Sequence, residues 1–301
     1  MERKTLVAID FNNVVFASFY GQPLINSHGM NVNAVLSFFN KLKMLKDIYE
    51  PDFIVFASDL SREKTFRRQL YPGYKAQRKP MDESIREQMK YISSMVALLG
   101  FNTINNEVYE ADDILGMISK YNDEHDIDTV IISSDRDLYQ LVSEYTTIMP
   151  PRGDKVIDLV YMKETYDLTP KQWIEYKTLQ GDKSDNIPGI QGIGPKTALQ
   201  LLQDFGTIEN IYNNLDIIRG KTKDLLIQGR DSLQLTKKLV TIVRDYSLLG
   251  INENMYYRKE TYPEELYRVM KYLETYSLFT TMKYSLLPQP DDKLKMKPTV
   301  E

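Results

Sequence analysis

The chain contains no cysteine among its 301 residues and only two histidines, His28 and His125, which lie far apart in the sequence. The absence of cysteine excludes disulfide frameworks, thiol nucleophiles and cysteine-ligated zinc. Two isolated histidines argue against a Ser-His-Asp triad and against a histidine-rich metal site. Any metal chemistry must therefore rely on carboxylates, of which the sequence has 42.

Long apolar runs and a strong charge bias are also missing. No apolar stretch approaches the ~18 residues that a membrane-spanning helix needs, and the amino terminus MERKTLVAID is too short and too polar for a secretory signal. We therefore expect an intracellular protein. The net charge of −4 does not indicate a nucleic-acid binder, but phosphate binding depends on local patches rather than on the total. A chain that is 42% hydrophobic and 27% charged has ordinary globular composition.

Three apolar runs rich in β-branched residues predict buried strands, and an acid follows each one. The runs are residues 5–10, 53–59 and 129–134, and the acids at their ends are Asp10, Asp59, Asp135 and Asp137. The carboxyl ends of parallel strands form the edge where open α/β sheets bind ligands. Carboxylates this close repel each other unless a cation lies between them. The alternative for a single pair is an Asx turn that caps a helix, but the number of acidic strand ends favours a metal site.

A further acidic group, Glu110, Asp112 and Asp113, begins a predicted helix. The helix dipole favours acids at this end, which explains one or two of them. On an ideal helix Glu110 and Asp113 are neighbours while Asp112 points away, so the spacing nominates Glu110 and Asp113 as a ligand pair.

Residues 61–90 carry nine basic residues against four acidic ones. Phe66, Tyr71 and Tyr74 are interleaved with these charges, which suits a surface that contacts phosphates and stacks on bases. A solvated helix face with i,i+4 ion pairs is the ordinary alternative. The excess of one sign and the aromatic residues within YPGYKAQR favour the nucleic-acid surface.

Apolar residues at helical spacing predict a helix over residues 32–48 in the first half of the chain. Beyond Pro150 the apolar pattern is mainly helical, and helices are predicted over residues 171–179, 232–244 and 263–276. The tail 288–301 has three prolines and alternating charge, and we expect it to be disordered.

A glycine-rich turn lies between two of these helices, in the sequence GDKSDNIPGIQGIGPKTA. Gly192 and Gly194 let backbone N–H groups approach a ligand closely, and a helix amino terminus follows with Lys196 beside it. This arrangement is typical of phosphate binding without base contacts. Asp182 and Asp185 precede the turn.

Five motifs occur in a fixed order: Asp10 after the first strand, FRRQLYPGYKAQR after Asp59, EADD at 110–113, SSDRDLYQL, and the glycine-rich segment. Together they resemble the bacterial and bacteriophage 5′-nuclease family, which includes flap endonucleases and the 5′-3′ exonuclease domain of DNA polymerase I. The resemblance implies an α/β fold, PIN-like, with a mainly parallel sheet and a helical arch, followed by an all-α helix–three-turn–helix module. The expected domains are 1–165 with the arch at about 61–90, 166–260 for the module, 261–287 for a C-terminal helix and 288–301 for the tail.

The resemblance also implies a site with two Mg²⁺ or Mn²⁺ ions and a K⁺ ion at the hairpin turn. The first divalent ion would be held by Asp10, Asp59, Glu110, Asp112 and Asp135, and the second by Asp135, Asp137, Asp182 and Asp185. The family favours Asp112 where helical spacing favours Asp113, so both stay candidates. Lys75 and Arg78 match the functional lysine and arginine of the family and would act with Asp135 in catalysis. The expected DNA contacts are Arg67, Tyr74, Lys75, Arg78, Lys183, Gly192, Gly194 and Lys196.

The expected function is that of a monomeric, cytoplasmic 5′-3′ exonuclease and 5′-flap endonuclease of a bacterial or phage-infected cell. It would hydrolyse DNA phosphodiesters at 5′ flaps or 5′ ends and leave a 5′-phosphate, with the RNA of RNA–DNA hybrids as a further substrate. Because no polymerase sequence follows, we expect a free-standing nuclease. Two alternatives stay open: a PIN-type ribonuclease, and a non-catalytic DNA-junction-binding protein, which would be expected to have lost some of the acids.

Overall fold

The computed structural model describes residues 3–60, 63–153 and 155–297. Its centre is a five-stranded parallel sheet with the strand order β3-β2-β1-β4-β5, which confirms the predicted parallel α/β fold. The strands are β1 Lys4–Asp10, β2 Phe53–Asp59, β3 Asn102–Asn106, β4 Ile127–Ile132 and β5 Thr146–Met149. The order of connection reverses between the neighbours β1 and β4. The crevice at the carboxyl ends of such a pair is where open α/β sheets bind ligands.

Helices cover both faces of the sheet, which explains why its strands are nearly continuous apolar runs. Alternate residues of β1 point to opposite faces: Leu6 and Ala8 belong to one buried cluster, whereas Val7 and Ile9 belong to the other. The helices of this part are α1 Phe11–Phe19, α2 Asn33–Tyr49, α3 Phe66–Leu70, α4 Glu83–Leu98 and α5 Ala111–Glu124. The cluster that contains Val7 includes residues of α1, α2 and α4. The cluster that contains Leu6 includes residues of α5.

The second part of the chain is helical. Its elements are α6 Leu159–Tyr166, α7 Pro170–Gln180, the short hairpin of β6 Gly181–Asp182 and β7 Ile187–Pro188, α8 Pro195–Phe205, α9 Ile208–Asn213, α10 Lys221–Gly229 and α11 Leu233–Val240. α7 begins where Thr169 and Gln172 form a capping box around Pro170 at the first helical position. Trp173 of α7 is buried in the same cluster as Leu6, so the core of this helical module is continuous with that of the sheet.

The C-terminal part returns to the other face of the sheet with α12 Pro263–Leu273 and α13 Leu278–Thr281. α12 ends three residues before the predicted 276, where Glu274 takes a left-handed conformation with φ 58°. The expectation of a disordered tail is corrected for residues 288–297. Leu294 is only 6% exposed, and Lys295 N donates to Asp52 O at 2.9 Å, so one apolar side chain anchors this charged segment. Residues 298–301 lie outside the described residues.

Two further elements differ from the sequence prediction. α1 begins directly after Asp10, where no helix was predicted, and α11 stops at Val240 rather than at 244. The described part of the expected arch is not one helix: it consists of α3, turns over residues 72–77 and the start of α4. Residues 61 and 62 of the expected arch lie outside the described residues.

Candidate active site

Asp10 lies at the carboxyl end of β1, beside the end of β4. Its Oδ1 accepts a hydrogen bond from Asn13 N at 3.1 Å and so caps α1. Its Oδ2 accepts from Ser133 Oγ at 2.8 Å, which ties the carboxylate to the residue that follows β4. These two contacts fix Asp10 at the ligand-binding edge of the sheet.

Asp135 comes shortly after β4 and caps the 3-10 helix Arg136–Leu141. Its Oδ1 accepts a hydrogen bond from Asp137 N at 2.8 Å. The Asx turn that the sequence left open as an alternative is therefore present. It does not exclude ligand binding, because a carboxylate has two oxygens and several lone pairs. The turn instead orients Asp135 at the same edge as Asp10.

Four carboxylates from separate elements influence one another at this edge: Asp10, Asp59, Asp112 and Asp135. Burial, and after it the charge of Asp59, raises the pKa of Asp10 to about 7. Burial also raises the pKa of Asp112 well above its usual range, followed by the charges of Asp135 and Asp10. Buried like charges of this kind are costly unless they are protonated or a cation neutralises them.

The hydrogen bonds at the start of α5 show how its acids are arranged relative to these four carboxylates. Glu110 is the N-cap residue and forms a capping box with Asp113, whose Oδ2 accepts from Glu110 N at 3.1 Å. Asp113 is fully buried, and its two oxygens accept from Arg67 Nη1 and Nη2 at 2.6 and 2.8 Å. This corrects the expectation that Asp113 is a metal ligand. The spacing that made Glu110 and Asp113 look like a ligand pair is that of a capping box.

Asp112, by contrast, interacts with the sheet-edge acids, and Asp59 joins the same helix start by accepting from Ala111 N at 2.8 Å.

Arg67 also differs from its expected role. It was predicted to contact DNA, but it is 3% exposed and lies beneath the site as the partner of Asp113. The two carboxylates beside it offset part of the cost of desolvating the guanidinium, and removal of one partner from such a buried group is strongly destabilising.

The segment that carries Tyr74, Lys75 and Arg78 folds over the acidic group. Tyr74 is 4% exposed and its hydroxyl donates to Glu110 Oε2 at 2.8 Å, so it is not the surface stacking residue we expected. Lys75 Nζ lies 2.7 Å from Glu110 Oε1 and 3.5 Å from Asp185 Oδ2. Arg78 pairs with Asp185. Burial opposes the charge on Lys75, but the charges of Glu110 and Asp185 raise its pKa above the usual range. The amine of Lys75 therefore stays protonated.

A second acidic group, Asp137 and Asp182, joins the sheet edge to the helical module. The lysine that lies between these two acids was not predicted from the sequence. Lys177 of α7 lies with Nζ 2.5 Å from Asp137 Oδ1 and 2.5 Å from Asp182 Oδ2. Burial, and then the charge of Asp135, raises the pKa of Asp137 to about 7. Burial also opposes the ionisation of Asp182, but the hydrogen bond and charge of Lys177, together with hydrogen bonds from Ser184 and Asp185 N, lower the pKa of Asp182. Only the position of Lys177 five residues before Asp182 hinted at this role.

The donor set fits hard divalent cations, since it consists of carboxylates without histidine or cysteine. Within the described ranges no three His, Cys, Asp or Glu side chains are arranged to hold a metal ion in this structure. The ammonium groups of Lys75 and Lys177 lie between carboxylates that would serve as ligands. The residues therefore fit the ions in charge and chemistry, provided that these two lysines move aside.

The glycine-rich turn lies beside this second group and outside the acidic cluster itself. It lines an open cleft of about 940 Å³ together with Asp182 and Lys183. Gly192 has φ +89°, and an added Cβ would lie 2.8 Å from Leu225 Cδ1, so glycine is required there. Gly194 is the N-cap of α8, where an added Cβ would meet nothing within 4 Å. Lys183 and Lys196 are exposed beside it.

A parallel sheet with acidic strand ends, joined to a helical hairpin module, defines a PIN-like nuclease. A model of the 5′-3′ exonuclease N-terminal, resolvase-like domain matches residues 5–169, and one of the 5′-3′ exonuclease C-terminal SAM fold matches residues 168–262. The chain belongs to the 5′-3′ exonuclease family. No helix within the described residues is both long and apolar enough to cross a membrane.

Known relatives agree with this assignment. DNA polymerase I of Caldicellulosiruptor bescii is 34% identical over 291 residues, which cover 94% of this chain and 34% of the relative. The chain thus spans about a third of the length of this relative. The D15 protein of bacteriophage T5, co-crystallised with metal ions, has a TM-score of 0.65 at 21% identity and covers 89% of this chain and 99% of its own. A T5 D15 flap endonuclease complex with DNA and metal ions has a TM-score of 0.63 at 21% identity and covers 90% and 100%. These two likenesses show the fold.

Proposed function

We propose that this chain is a structure-specific 5′-nuclease, a 5′-3′ exonuclease and 5′-flap endonuclease that hydrolyses DNA phosphodiesters and leaves a 5′-phosphate. The observation that carries the proposal is the meeting of two acidic groups with Lys75 and Arg78 at one sheet edge. Carboxylates gathered there suit cations, while the basic side chains suit the phosphate that such cations would act upon.

The proposed ligands follow the two acidic groups. One ion would be held by Asp10, Asp59, Glu110, Asp112 and Asp135, and a second by Asp135, Asp137, Asp182 and Asp185. When bound, two divalent ions supply a hydroxide at neutral pH and stabilise the leaving oxygen of an in-line displacement. Because the donors are oxygens, Mg²⁺ or Mn²⁺ is the expected pair.

Lys75 and Arg78 are proposed to contact the scissile phosphate. In this structure they neutralise Glu110 and Asp185. Cations that take over this task would release both side chains toward the substrate. Donors fixed beside the phosphate stabilise the charge that develops on its oxygens in the transition state.

The hairpin module is proposed to hold the duplex. The backbone around Gly194 and the exposed Lys183 and Lys196 are available to phosphates, and the turn at Gly192 is the proposed place for K⁺. The T5 D15 structure with DNA and metal ions supports DNA as the partner and metal ions as cofactors. We further propose that the enzyme acts as a monomer, in the cytoplasm of a bacterial or phage-infected cell, where such DNA is found.

The test uses a 5′-labelled flap duplex with Mg²⁺, with Mn²⁺ and with a chelator. We expect cleavage near the junction only with a divalent ion, a product that a ligase can join through its 5′-phosphate, and no cleavage by Asp135→Asn. Asp47→Asn is the matched control, because Asp47 is half exposed and pairs with Lys43 on the surface of α2. Cleavage that survives chelation, or full activity of Asp135→Asn, would refute the proposal.

The two alternatives give different results in the same assay. A PIN-type ribonuclease would cut single-stranded RNA in preference to the DNA flap, whereas the proposed enzyme would cut an RNA–DNA hybrid at most in addition to DNA. A non-catalytic junction binder would shift the flap in a binding assay without cutting it. The retention of all the predicted acids favours the enzyme.

A further inference from the structure

We propose that Arg67 is a positioning residue that couples the helical module to the acidic cluster. It would do so by joining residues 239–243, which comprise the end of α11 and the three residues after it, to Glu110. The inference deepens the proposed function and rests on it for the role of Glu110 as a metal ligand.

The guanidinium of Arg67 uses all five of its N–H donors. Nε donates to Leu239 O at 2.8 Å, and Nη2 donates to Thr241 O at 3.0 Å. Nη1 and Nη2 both donate to Asp113, and the second donor of Nη1 reaches Glu110 Oε2 at 3.1 Å. One buried side chain therefore connects the backbone of the module to a candidate ligand. No lysine can replace it fully, because an ammonium has three donors and no fork.

The segment that Arg67 holds has little freedom to move. Gln140 Nε2 donates to Val240 O at 3.0 Å, and Gln140 Oε1 accepts from Ile242 N at 2.9 Å. Val243 N donates to Asp113 Oδ1 at 2.9 Å. Gly116 of α5 packs so closely that an added Cβ would lie 2.7 Å from Val243 O. If the helical module shifted, residues 239–243 could not adjust by themselves, so the start of α5 would shift as well.

Arg67 differs from the other side chains that fasten this region because it also touches a candidate ligand side chain. Arg244 provides the comparison. Its Nη2 donates to Ser119 Oγ at 3.1 Å and to Asp123 Oδ2 at 2.9 Å, on the same helix α5 but away from the cluster. Loss of Arg244 would loosen the attachment without altering Glu110.

The experiment compares Arg67→Lys with Arg244→Lys in the full chain. Mn²⁺ binding is measured without DNA, flap affinity is measured in Ca²⁺, and the rate of cleaving bound flap is measured in single-turnover reactions with Mg²⁺. For Arg67→Lys we expect at least fivefold weaker Mn²⁺ binding and at least tenfold slower cleavage, with flap affinity changed less than threefold. For Arg244→Lys we expect less than twofold changes in Mn²⁺ binding and cleavage, and a smaller loss of thermal stability, because the Arg244 side chain is 33% exposed and makes two of these hydrogen bonds.

If the losses of Mn²⁺ binding and cleavage rate in both variants only followed their losses of thermal stability, the inference would be overturned. Arg67 would then be a structural residue only. If Arg67→Lys does not fold, amide exchange of the wild type decides. Coupling is reciprocal, so Mn²⁺ should slow exchange of the Ile242 and Val243 amides, and unchanged exchange would overturn the inference. A wild type that binds Mn²⁺ but cuts no flap would refute the proposed function, and the Mn²⁺ arms would still test Arg67.

Discussion

Lys177 Nζ lies 2.5 Å from Asp137 Oδ1, and this contact joins the helical module to the acidic edge of the sheet. The same ammonium reaches Asp182 of the hairpin, and the side chain is only 8% exposed. A buried cation between two carboxylates offsets the repulsion that a divalent ion would otherwise relieve. The metal-free protein thus carries its own counter-ion at the place proposed for the second metal.

Replacing Lys177 with methionine should destabilise the metal-free protein by about 3 to 5 kcal/mol, because it leaves the buried carboxylate of Asp137 without its cation. Asp182 also loses this cation but keeps its hydrogen bonds from Ser184 and Asp185 N. Divalent cations should restore more stability to this variant than to the wild type. Denaturant unfolding with a chelator and with Ca²⁺ measures both effects. Lys163→Met is the control, since Lys163 forms an exposed i,i+4 pair with Asp167. Equal stability of the two variants in chelator would contradict the role of Lys177.

The pH dependence of stability should reverse when metal is added. The pKa values of Asp10 and Asp137 are raised from 3.8 to about 7 in the folded protein. A raised folded pKa means that the folded state binds these protons more tightly. The stabilisation of the folded protein by these two protons is therefore complete below the pKa of the unfolded state, and it is lost as the pH rises through about 7.

In chelator, the free energy of unfolding should fall by roughly 2 to 4 kcal/mol between about pH 4 and pH 8. Metal binding requires ionised carboxylates, so with Mg²⁺ stability should rise over the same range. Urea unfolding at several pH values with and without Mg²⁺ measures the two slopes. Parallel slopes would show that these carboxylates do not bind the metal.

The sequence predicted those parts of the site that are local to one strand. Asp10, Asp59 and Asp135 each follow an apolar run, so their place at the sheet edge follows from strand geometry. Lys177 and Arg67 could not be placed in this way, because Asp137 and Asp113, their partners at the sheet edge and on α5, lie far away in the chain and meet them only in the folded protein. Glu110 and Asp113 show a further limit: the same three-residue spacing serves a capping box and a ligand pair, and only the position of Arg67 distinguishes the two.

Gly194 allows a test of duplex binding without a folding defect. An added Cβ there meets nothing within 4 Å, so Gly194→Val should fold normally while it obstructs phosphate approach to the start of α8. We expect at least tenfold weaker duplex binding and little change in cleavage of short single strands. Gly192→Val, at φ +89°, should instead lower thermal stability. Equal losses on both substrates for Gly194→Val would place the duplex elsewhere.

Lys75 and Lys196 should affect different steps of the reaction. Lys75 lies against Glu110 at the acidic cluster, whereas Lys196 is exposed beside the glycine-rich turn. A contact that strengthens as negative charge develops on the phosphate appears in the rate, so Lys75→Ala should slow single-turnover cleavage by roughly 10²-fold with little loss of affinity. Lys196→Ala should weaken flap binding and lower its salt slope by about one, because a single ground-state phosphate contact is removed. If Lys75→Ala lost affinity yet cleaved bound flap at the normal rate, Lys75 would serve only as an electrostatic anchor for the DNA.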